Sequence, residues 1–237
     1  MGALSPLPML GVFDSGLGGR HALAVLRTCL PTADIVFLAD TAHAPYGTKA
    51  QPVLCELVRE DIRRLRAAGA DKILCACCTA SCVLPYLSPD ERSRVYPILT
   101  PTAKAAARRT QCHRYVLLAT EATVREGAFV RALTKEDPTA HVLCRAAQPL
   151  VTLAEQARTD MSDAGVYDAL MPHIEAVRWA RADTLVLGCT HFASFTAALS
   201  AHLPDVHVIS SAEEGARAFV ASLPSKQRDG HGYTVYL

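Results

Sequence analysis

The chain has 237 residues, of which half are hydrophobic and a fifth are charged, and its formal net charge is +1 at pH 7. A chain of this size and composition can bury a large core, so we expect a globular fold and not disorder. Its densest basic stretch, 59–66, mixes arginines with acidic and apolar residues as a solvated helix face does, so no nucleic-acid partner is expected. No apolar run is long enough to span a membrane, and residues 1–10 lack the basic start of a signal peptide. We therefore expect a cytoplasmic protein.

The nine cysteines are many for such a chain, and four of them lie within positions 75–82. A secreted disulfide scaffold would be smaller and would carry a signal peptide. The cysteines are therefore interpreted as reduced thiols that are either buried or reactive.

Short apolar runs that predict β-strands alternate along the chain with longer segments of helical period. The predicted strands are 9–13, 34–38, 72–76, 96–99, 115–119, 141–144, 184–187, 207–209 and 233–236. The predicted helices are 20–29, 52–67, 123–133, 150–181 with a break at Pro172, 194–202 and 212–223. This alternation predicts an α/β fold with mainly parallel sheets flanked by helices, in which the active site lies at the carboxyl ends of the strands.

An internal repeat predicts two related lobes. Segment 68–77 (AGADKILCAC) matches segment 180–189 (ARADTLVLGC); each holds an Ala-Asp turn, a strand, a small residue and a cysteine. The two copies predict a pair of pseudo-symmetric α/β lobes, which present Cys77 and Cys189 where a strand meets a helix. Thr79 and Thr190 are the expected N-cap residues of those helices.

Two cysteines placed in this way suit one class of reaction. A helix N-terminus lowers the pKa of a thiol and also binds carboxylate. If the lobes face each other, one sulfur removes a proton from a carbon and the other returns a proton from the opposite side. No cofactor signature accompanies them, so the protein itself must stabilise the carbanion.

Several of these motifs also allow other interpretations. Cys75 and Cys82 are predicted to be buried hydrophobic side chains. The spacing of the 75–82 cluster lacks a clean C-x2-C pair, and its strand scatters the thiols over two faces, so no metal site is expected. The glycine loop 14–19 fits neither a dinucleotide nor a Walker A motif, and we expect its first residues, Asp14 and Ser15, to project into the cleft. A tight turn would also explain the glycines.

Five fragments together resemble the glutamate racemases of the aspartate/glutamate racemase superfamily. They run in the family's order and span most of the chain: 11–19 (GVFDSGLGG), 39–41 with 45–49 (ADT and PYGTK), 76–81 (ACCTAS), 119–124 (ATEATV) and 187–192 (LGCTHF).

The resemblance implies a cofactor-independent interconversion of the two glutamate enantiomers, which supplies D-glutamate for peptidoglycan. It makes Cys77 the base toward D-glutamate and Cys189 the base toward L-glutamate, with Asp14 assisting the first and Glu155 and His191 the second. The substrate-binding residues that it implies are Asp14, Ser15, Pro45, Tyr46, Gly47, Cys78, Thr79, Thr120, Thr123, Thr190 and His191. A small molecule is thus the expected partner, and assembly into a homodimer remains open.

The family's chain order also implies a division into lobes, and several positions depart from the family pattern. The first lobe is expected to comprise 1–99 and 210–237, and the second 100–209. Cys78 replaces an asparagine that contacts the substrate, Ala193 replaces a proline, and Ser210 replaces an aspartate. Aspartate racemisation, another isomerisation within the superfamily, or glutamate binding with weakened catalysis therefore remain alternatives.

Overall fold

The computed structural model describes residues 9–224 and 230–237, so most of the segment weighed as a signal peptide lies outside the described residues. Within these ranges the strands are β1 (Met9–Asp14), β2 (Ile35–Ala39), β3 (Ala70–Cys75), β4 (Val95–Pro97), β5 (Arg114–Ala119), β6 (His141–Ala146), β7 (Thr184–Gly188), β8 (His207–Ser210) and β9 (Thr234–Tyr236). The α-helices are α1 (Gly19–Cys29), α2 (Gln51–Ala67), α3 (Cys78–Val83), α4 (Leu99–Arg109), α5 (Glu121–Glu126), α6 (Ala128–Glu136), α7 (Gln148–Glu155), α8 (Ala164–Ala180), α9 (Thr196–His202) and α10 (Ser211–Ser222). Short 3₁₀ helices lie at Thr41–His43, Tyr46–Thr48, Leu84–Tyr86 and Thr190–Phe195.

The strands form two parallel sheets, which confirms the predicted fold class. The first sheet has the order β4-β3-β1-β2-β9 and the second the order β6-β5-β7-β8, and every strand pairing is parallel. Each of the nine predicted strands is present. The central strands are near-continuous runs of buried apolar residues because helices cover both of their faces.

One hydrophobic core joins the two sheets. It contains Leu10 and Phe37 from the first sheet, Leu117 and Val186 from the second, and Phe219 from α10. Helices α1, α4, α6 and α10 also contribute buried side chains to it. Buried side chains of the two lobes therefore pack against each other in one continuous cluster.

Two helical predictions were wrong in their boundaries. The break predicted at Pro172 lies instead between α7 and α8, because Asp163 caps α8 by accepting hydrogen bonds from the N–H groups of Gly165 and Val166. Pro172 sits inside α8 on an exposed position, where water can satisfy the carbonyl that loses its partner. Gly127, with φ of +62°, divides the predicted helix 123–133 into α5 and α6.

Helix α4 was not predicted, because its inward face carries few large apolar side chains. Leu99, Thr102, Ala103 and Ala106 are its buried residues. Small side chains let it lie close to the second sheet without producing a strong apolar period.

The chain returns to the first sheet at its C-terminal end, where β9 pairs with β2. Strand β8 belongs to the second sheet and ends at Ser210. The division at 99/100 and 209/210 stays a proposal. In the ranges that the structure describes, no helix has the length and apolar character needed to cross a membrane.

Candidate active site

The carboxyl ends of strands from both sheets open into one cavity of about 270 Å³, a size that suits a small molecule. Both Cys77 and Cys189 line it, one from each sheet. The full set of lining residues is Ser15, Thr41, Ala44, Pro45, Tyr46, Gly47, Cys77, Cys78, Thr79, Thr120, Gln148, Val151, Thr152, Glu155, Cys189, Thr190 and His191.

Cys77 is itself the N-cap residue of α3, and the prediction that Thr79 caps this helix was wrong. The backbone of Cys77 is extended, and its Sγ accepts a hydrogen bond from the N–H of Ala80 at 3.5 Å. The thiol lies 3.5 Å from the hydroxyl of Ser15. Burial, together with the charge of Asp14, raises the pKa of Cys77 well above its usual range, so the helix N-terminus does not produce the lowered pKa that was expected.

Cys189 occupies the equivalent position before the 3₁₀ helix Thr190–Phe195, so the N-cap role predicted for Thr190 was also wrong. The Sγ of Cys189 is 3.7 Å from Nδ1 of His191, whose Nε2 contacts the carboxylate of Glu155. Burial opposes the charged imidazole, but its bonds to Cys189 and Glu155 raise the pKa of His191 to about 11. The hydrogen bond from His191 in turn lowers the pKa of Glu155. A cationic imidazole thus lies beside the Cys189 sulfur.

Asp14 ends β1 and is fully buried behind Ser15, outside the set of cavity-lining residues. Its carboxylate accepts hydrogen bonds from the N–H of Gly19 at 2.9 Å and from the hydroxyl of Thr190 at 3.1 Å. A Cβ at position 19 would lie 2.5 Å from the Cβ of Asp14, so glycine is needed for this approach. Burial raises the pKa of Asp14, while the charge of His191 and these bonds oppose the rise.

Three threonine hydroxyls form a cluster that joins the lobes. Oγ1 of Thr79 is 2.9 Å from Oγ1 of Thr120 and 3.1 Å from Oγ1 of Thr123. Thr120 also caps α5 by accepting a hydrogen bond from the N–H of Thr123. Thr79 and Thr120 face the cavity, whereas Thr123 lies behind them. Such hydroxyls can donate to a bound carboxylate.

Cys78 lines the cavity at the start of α3, at the position where the resemblance implied asparagine. Its thiol donates to the hydroxyl of Ser211, at the start of α10, over 3.2 Å. Burial raises the pKa of Cys78 well above its usual range. This side chain is therefore a neutral thiol held by Ser211.

Sequence reasoning missed five lining residues, of which Thr41 and Ala44 lie in the loop after β2. The other three, Gln148, Val151 and Thr152, share one face of α7 with Glu155 at helical spacings of three and four residues. That spacing, counted back from Glu155, could have revealed them. Among the described residues, no group of three or more His, Cys, Asp or Glu side chains is arranged to hold a metal ion, and all nine cysteines are free thiols.

Two facing α/β lobes with a cysteine from each in one cavity define the protein as a racemase, an isomerase that inverts a carbon centre. The chain belongs to the Asp/Glu/Hydantoin racemase family, and the match to this family covers residues 21–219. A glutamate racemase of Geobacter metallireducens is 32% identical over 239 residues, which cover 97% of this chain and 88% of that relative. The sequence resemblance to the aspartate/glutamate racemase superfamily is thereby confirmed.

Solved structures agree with this assignment. A glutamate racemase of Bacillus anthracis is similar with a TM-score of 0.85 and 27% identity, over 97% of this chain and 86% of that one. Escherichia coli glutamate racemase, solved in complex with L-glutamate and the activator UDP-MurNAc-Ala, has a TM-score of 0.76 and 28% identity, over 93% of this chain and 85% of that one.

Proposed function

We propose that the protein interconverts L-glutamate and D-glutamate, with Cys77 and Cys189 as the two bases. The observation that carries this proposal is that one thiol from each sheet lines the same cavity. Similarity to glutamate racemases supports glutamate as the substrate, since one such relative was solved with L-glutamate bound.

In the direction from L to D, the Cys189 sulfur removes the α-proton: the C–H bond breaks and an S–H bond forms. The Cys77 thiol gives its proton to the opposite face of the same carbon and becomes a thiolate. The cationic His191 stabilises the negative charge on Cys189 before the transfer, and the raised pKa keeps Cys77 protonated as the acid. The roles reverse from D to L.

The substrate carboxylates are assigned to the hydroxyls of Ser15, Thr79, Thr120 and Thr190 and to the loop residues Tyr46 and Gly47. Preorganised donors of this kind stabilise charge that develops beside the carboxylate. The roles of Asp14, Glu155 and His191 are to hold charge and protons near the two sulfurs. Pro45, Cys78 and Thr123 complete the proposed binding set.

We further propose that the D-glutamate supplies peptidoglycan synthesis in the cytoplasm. The glutamate racemases to which the chain is similar support this role. Free thiols at all nine cysteines suit a reducing compartment. A homodimer remains part of the proposal.

The decisive experiment measures exchange of the α-proton in deuterated water for both enantiomers of glutamate and of aspartate. Wild-type protein is expected to exchange and racemise glutamate. Cys77→Ser and Cys189→Ser are each expected to abolish racemisation while keeping the circular-dichroism spectrum, because a serine hydroxyl is a far weaker acid than a thiol. Cys144→Ser makes the same change at a half-buried thiol on β6 that does not line the cavity, and this matched control should keep wild-type turnover. Turnover near the wild-type rate in either serine variant contradicts the two-base assignment.

Cys78 motivates the alternatives, because it offers one thiol where asparagine offers amide donors and an acceptor. Preferential exchange of aspartate would indicate an aspartate racemase. Glutamate binding without any exchange would indicate a relative that has lost catalysis.

A further inference from the structure

A buried cluster of ionisable groups lies directly behind the cavity wall. The phenol oxygen of Tyr46 is 2.6 Å from Oδ2 of Asp40 and 2.8 Å from Oδ2 of Asp61. All three side chains are at most 3% exposed. Tyr46 lines the cavity, whereas the two aspartates do not. We call these three residues the Tyr46 cluster.

The Tyr46 cluster requires one more proton than its phenol supplies. A tyrosine hydroxyl has one hydrogen and can donate to only one of two carboxylates. The second short oxygen–oxygen contact is a hydrogen bond only if that carboxyl carries a proton and donates it to the phenol oxygen. Two charged carboxylates against one phenol would leave a buried repulsive contact with no hydrogen between the atoms.

The surroundings assign the extra proton to Asp61. Asp40 already accepts from Tyr46, and Nδ1 of His43 lies 2.8 Å and 2.9 Å from its two carboxylate oxygens. Burial raises the pKa of Asp61 to about 7, the hydrogen bond to Tyr46 lowers it, and the charge of Asp40 raises it again. The remaining titratable groups that face Asp61 are Arg64 on its own helix and His43, whose charges lower its pKa, and the thiol of Cys75 on β3.

We propose that Asp61 is a positioning residue whose protonated carboxyl holds Tyr46, and with it the loop residues Pro45 and Gly47, against the cavity. Loss of this proton frees the loop, so affinity for glutamate falls as the pH rises. The choice of glutamate as ligand rests on the proposed function, whereas the proton on Asp61 can be tested without any substrate.

The sign of the effect follows from the raised pKa. The pKa of Asp61 is about 7 in the folded protein and 3.8 for an ordinary aspartate, so the folded state holds a proton that the unfolded state has released. The contribution of Asp61 to the free energy of unfolding is fully present below pH 3.8, declines as the pH rises from there, and is lost above about pH 7. Loop order and affinity for glutamate fall around the upper end of this range.

The substrate-free test uses infrared difference spectroscopy between acidic and alkaline solutions. Wild-type protein is expected to show the carbonyl band of a buried, protonated carboxylic acid, and the band is expected to fade as the pH passes about 7. Asp61→Asn keeps the shape and neutrality of the protonated acid and should lose the part of the band that fades near pH 7, whereas any band from the buried Asp14 should remain. Glu60→Gln, at an exposed site one residue away, is the matched control and should keep the part that fades. A wild-type spectrum without this band at about pH 6 overturns the proposal.

The functional test measures the affinity for D-glutamate by calorimetry between about pH 6 and about pH 9. Wild type and Glu60→Gln are expected to lose affinity by at least about fivefold and at most about a hundredfold across this range, since release of one proton weakens binding by at most tenfold for each pH unit above the pKa of about 7. The factor by which Asp61→Asn loses affinity over the same pH range is expected to be at least threefold smaller than that of the wild type. The kcat of this variant at about pH 6 is expected to stay near the wild-type value. Identical affinity profiles for the wild type and Asp61→Asn overturn the positioning role. If wild type binds no glutamate at any pH, the proposed function fails, and the infrared band still decides the state of Asp61.

Discussion

Gly18, at the start of α1, offers a direct test of how tightly the second cysteine must be held. The backbone of Gly18 has ordinary right-handed helical angles, with φ of −58° and ψ of −31°, so alanine fits its conformation. A methyl group there would nevertheless lie 2.7 Å from the backbone nitrogen of His191 and 2.7 Å from Oγ1 of Thr190. The change Gly18→Ala therefore acts through crowding alone.

The size of the effect follows from these contacts. Ordinary contact begins near 3.4 Å, so the segment that carries Thr190 and His191 must move by about 0.7 Å, and part of this shift passes to the adjoining Cys189. A misplacement of about 1 Å in an active site costs about a hundredfold in rate, or about 2.7 kcal/mol in activation free energy. Crowding of this kind lowers the free energy of unfolding by about 1–3 kcal/mol.

The assay compares kcat/KM for both glutamate enantiomers in wild type, Gly18→Ala and the control Gly165→Ala. At Gly165 a methyl group meets only the flexible end of Arg158 and the carboxylate of Asp163, so activity is expected to stay unchanged. Because the equilibrium constant of a racemisation is one, kcat/KM must fall equally in both directions. A folded Gly18→Ala variant that keeps more than about half of the wild-type kcat/KM would refute the reasoning.

Two further predictions concern stability and pH. Burial, with the charge of Arg145, lowers the pKa of His173 from 6.5 to about 4, so the free energy of unfolding should fall by about 2–3 kcal/mol as the pH drops through this range. Urea titrations of His173→Gln at several pH values should show no such fall. If the free energy of unfolding of this variant depends on pH as it does in the wild type, His173 is not the group responsible. Burial opposes the charge on Asp137, but hydrogen bonds from Tyr115 and His113 help lower its pKa from 3.8 to about 2. Asp137→Asn should therefore cost about 1–2 kcal/mol at neutral pH, and the loss should shrink as the pH falls from 3.8 toward 2; a loss that is constant with pH would exclude the carboxylate as its source.

The strands could be predicted because their sequences are dictated by burial. Strand β7, with the sequence TLVLG, is buried along its whole length, and such a run has few alternatives to a central parallel strand. The helices were harder to predict, because α4 packs through alanines and because the N-cap at Asp163 outweighs the proline at 172. Local capping decided the boundary that the proline was expected to set.

The two cysteines could be found from the internal repeat, because each follows a strand whose end faces the cleft. Asp61 could not be found in this way. Its place in the middle of α2 is typical of a solvated helix face, and only the packing of α2 brings it against Tyr46. Gln148 and Thr152 were missed although helical spacing connects them to Glu155. Helical spacing can predict which residues share a face of one helix, but it does not predict which distant element that face will contact.

The hydrogen bonds that cross between the lobes have a consequence for the chemistry of the open protein. Asp14 receives its bond from Thr190, and Glu155 receives one from the N–H of Leu17 over 2.9 Å. A separation of the lobes wide enough to admit a molecule would break both bonds at once, whereas each sulfur would keep the charged neighbours on its own side of the cleft. Asp14 and Glu155 would each lose a donor from the opposite lobe, so the electrostatic surroundings of both sulfurs would change together when the cleft opens.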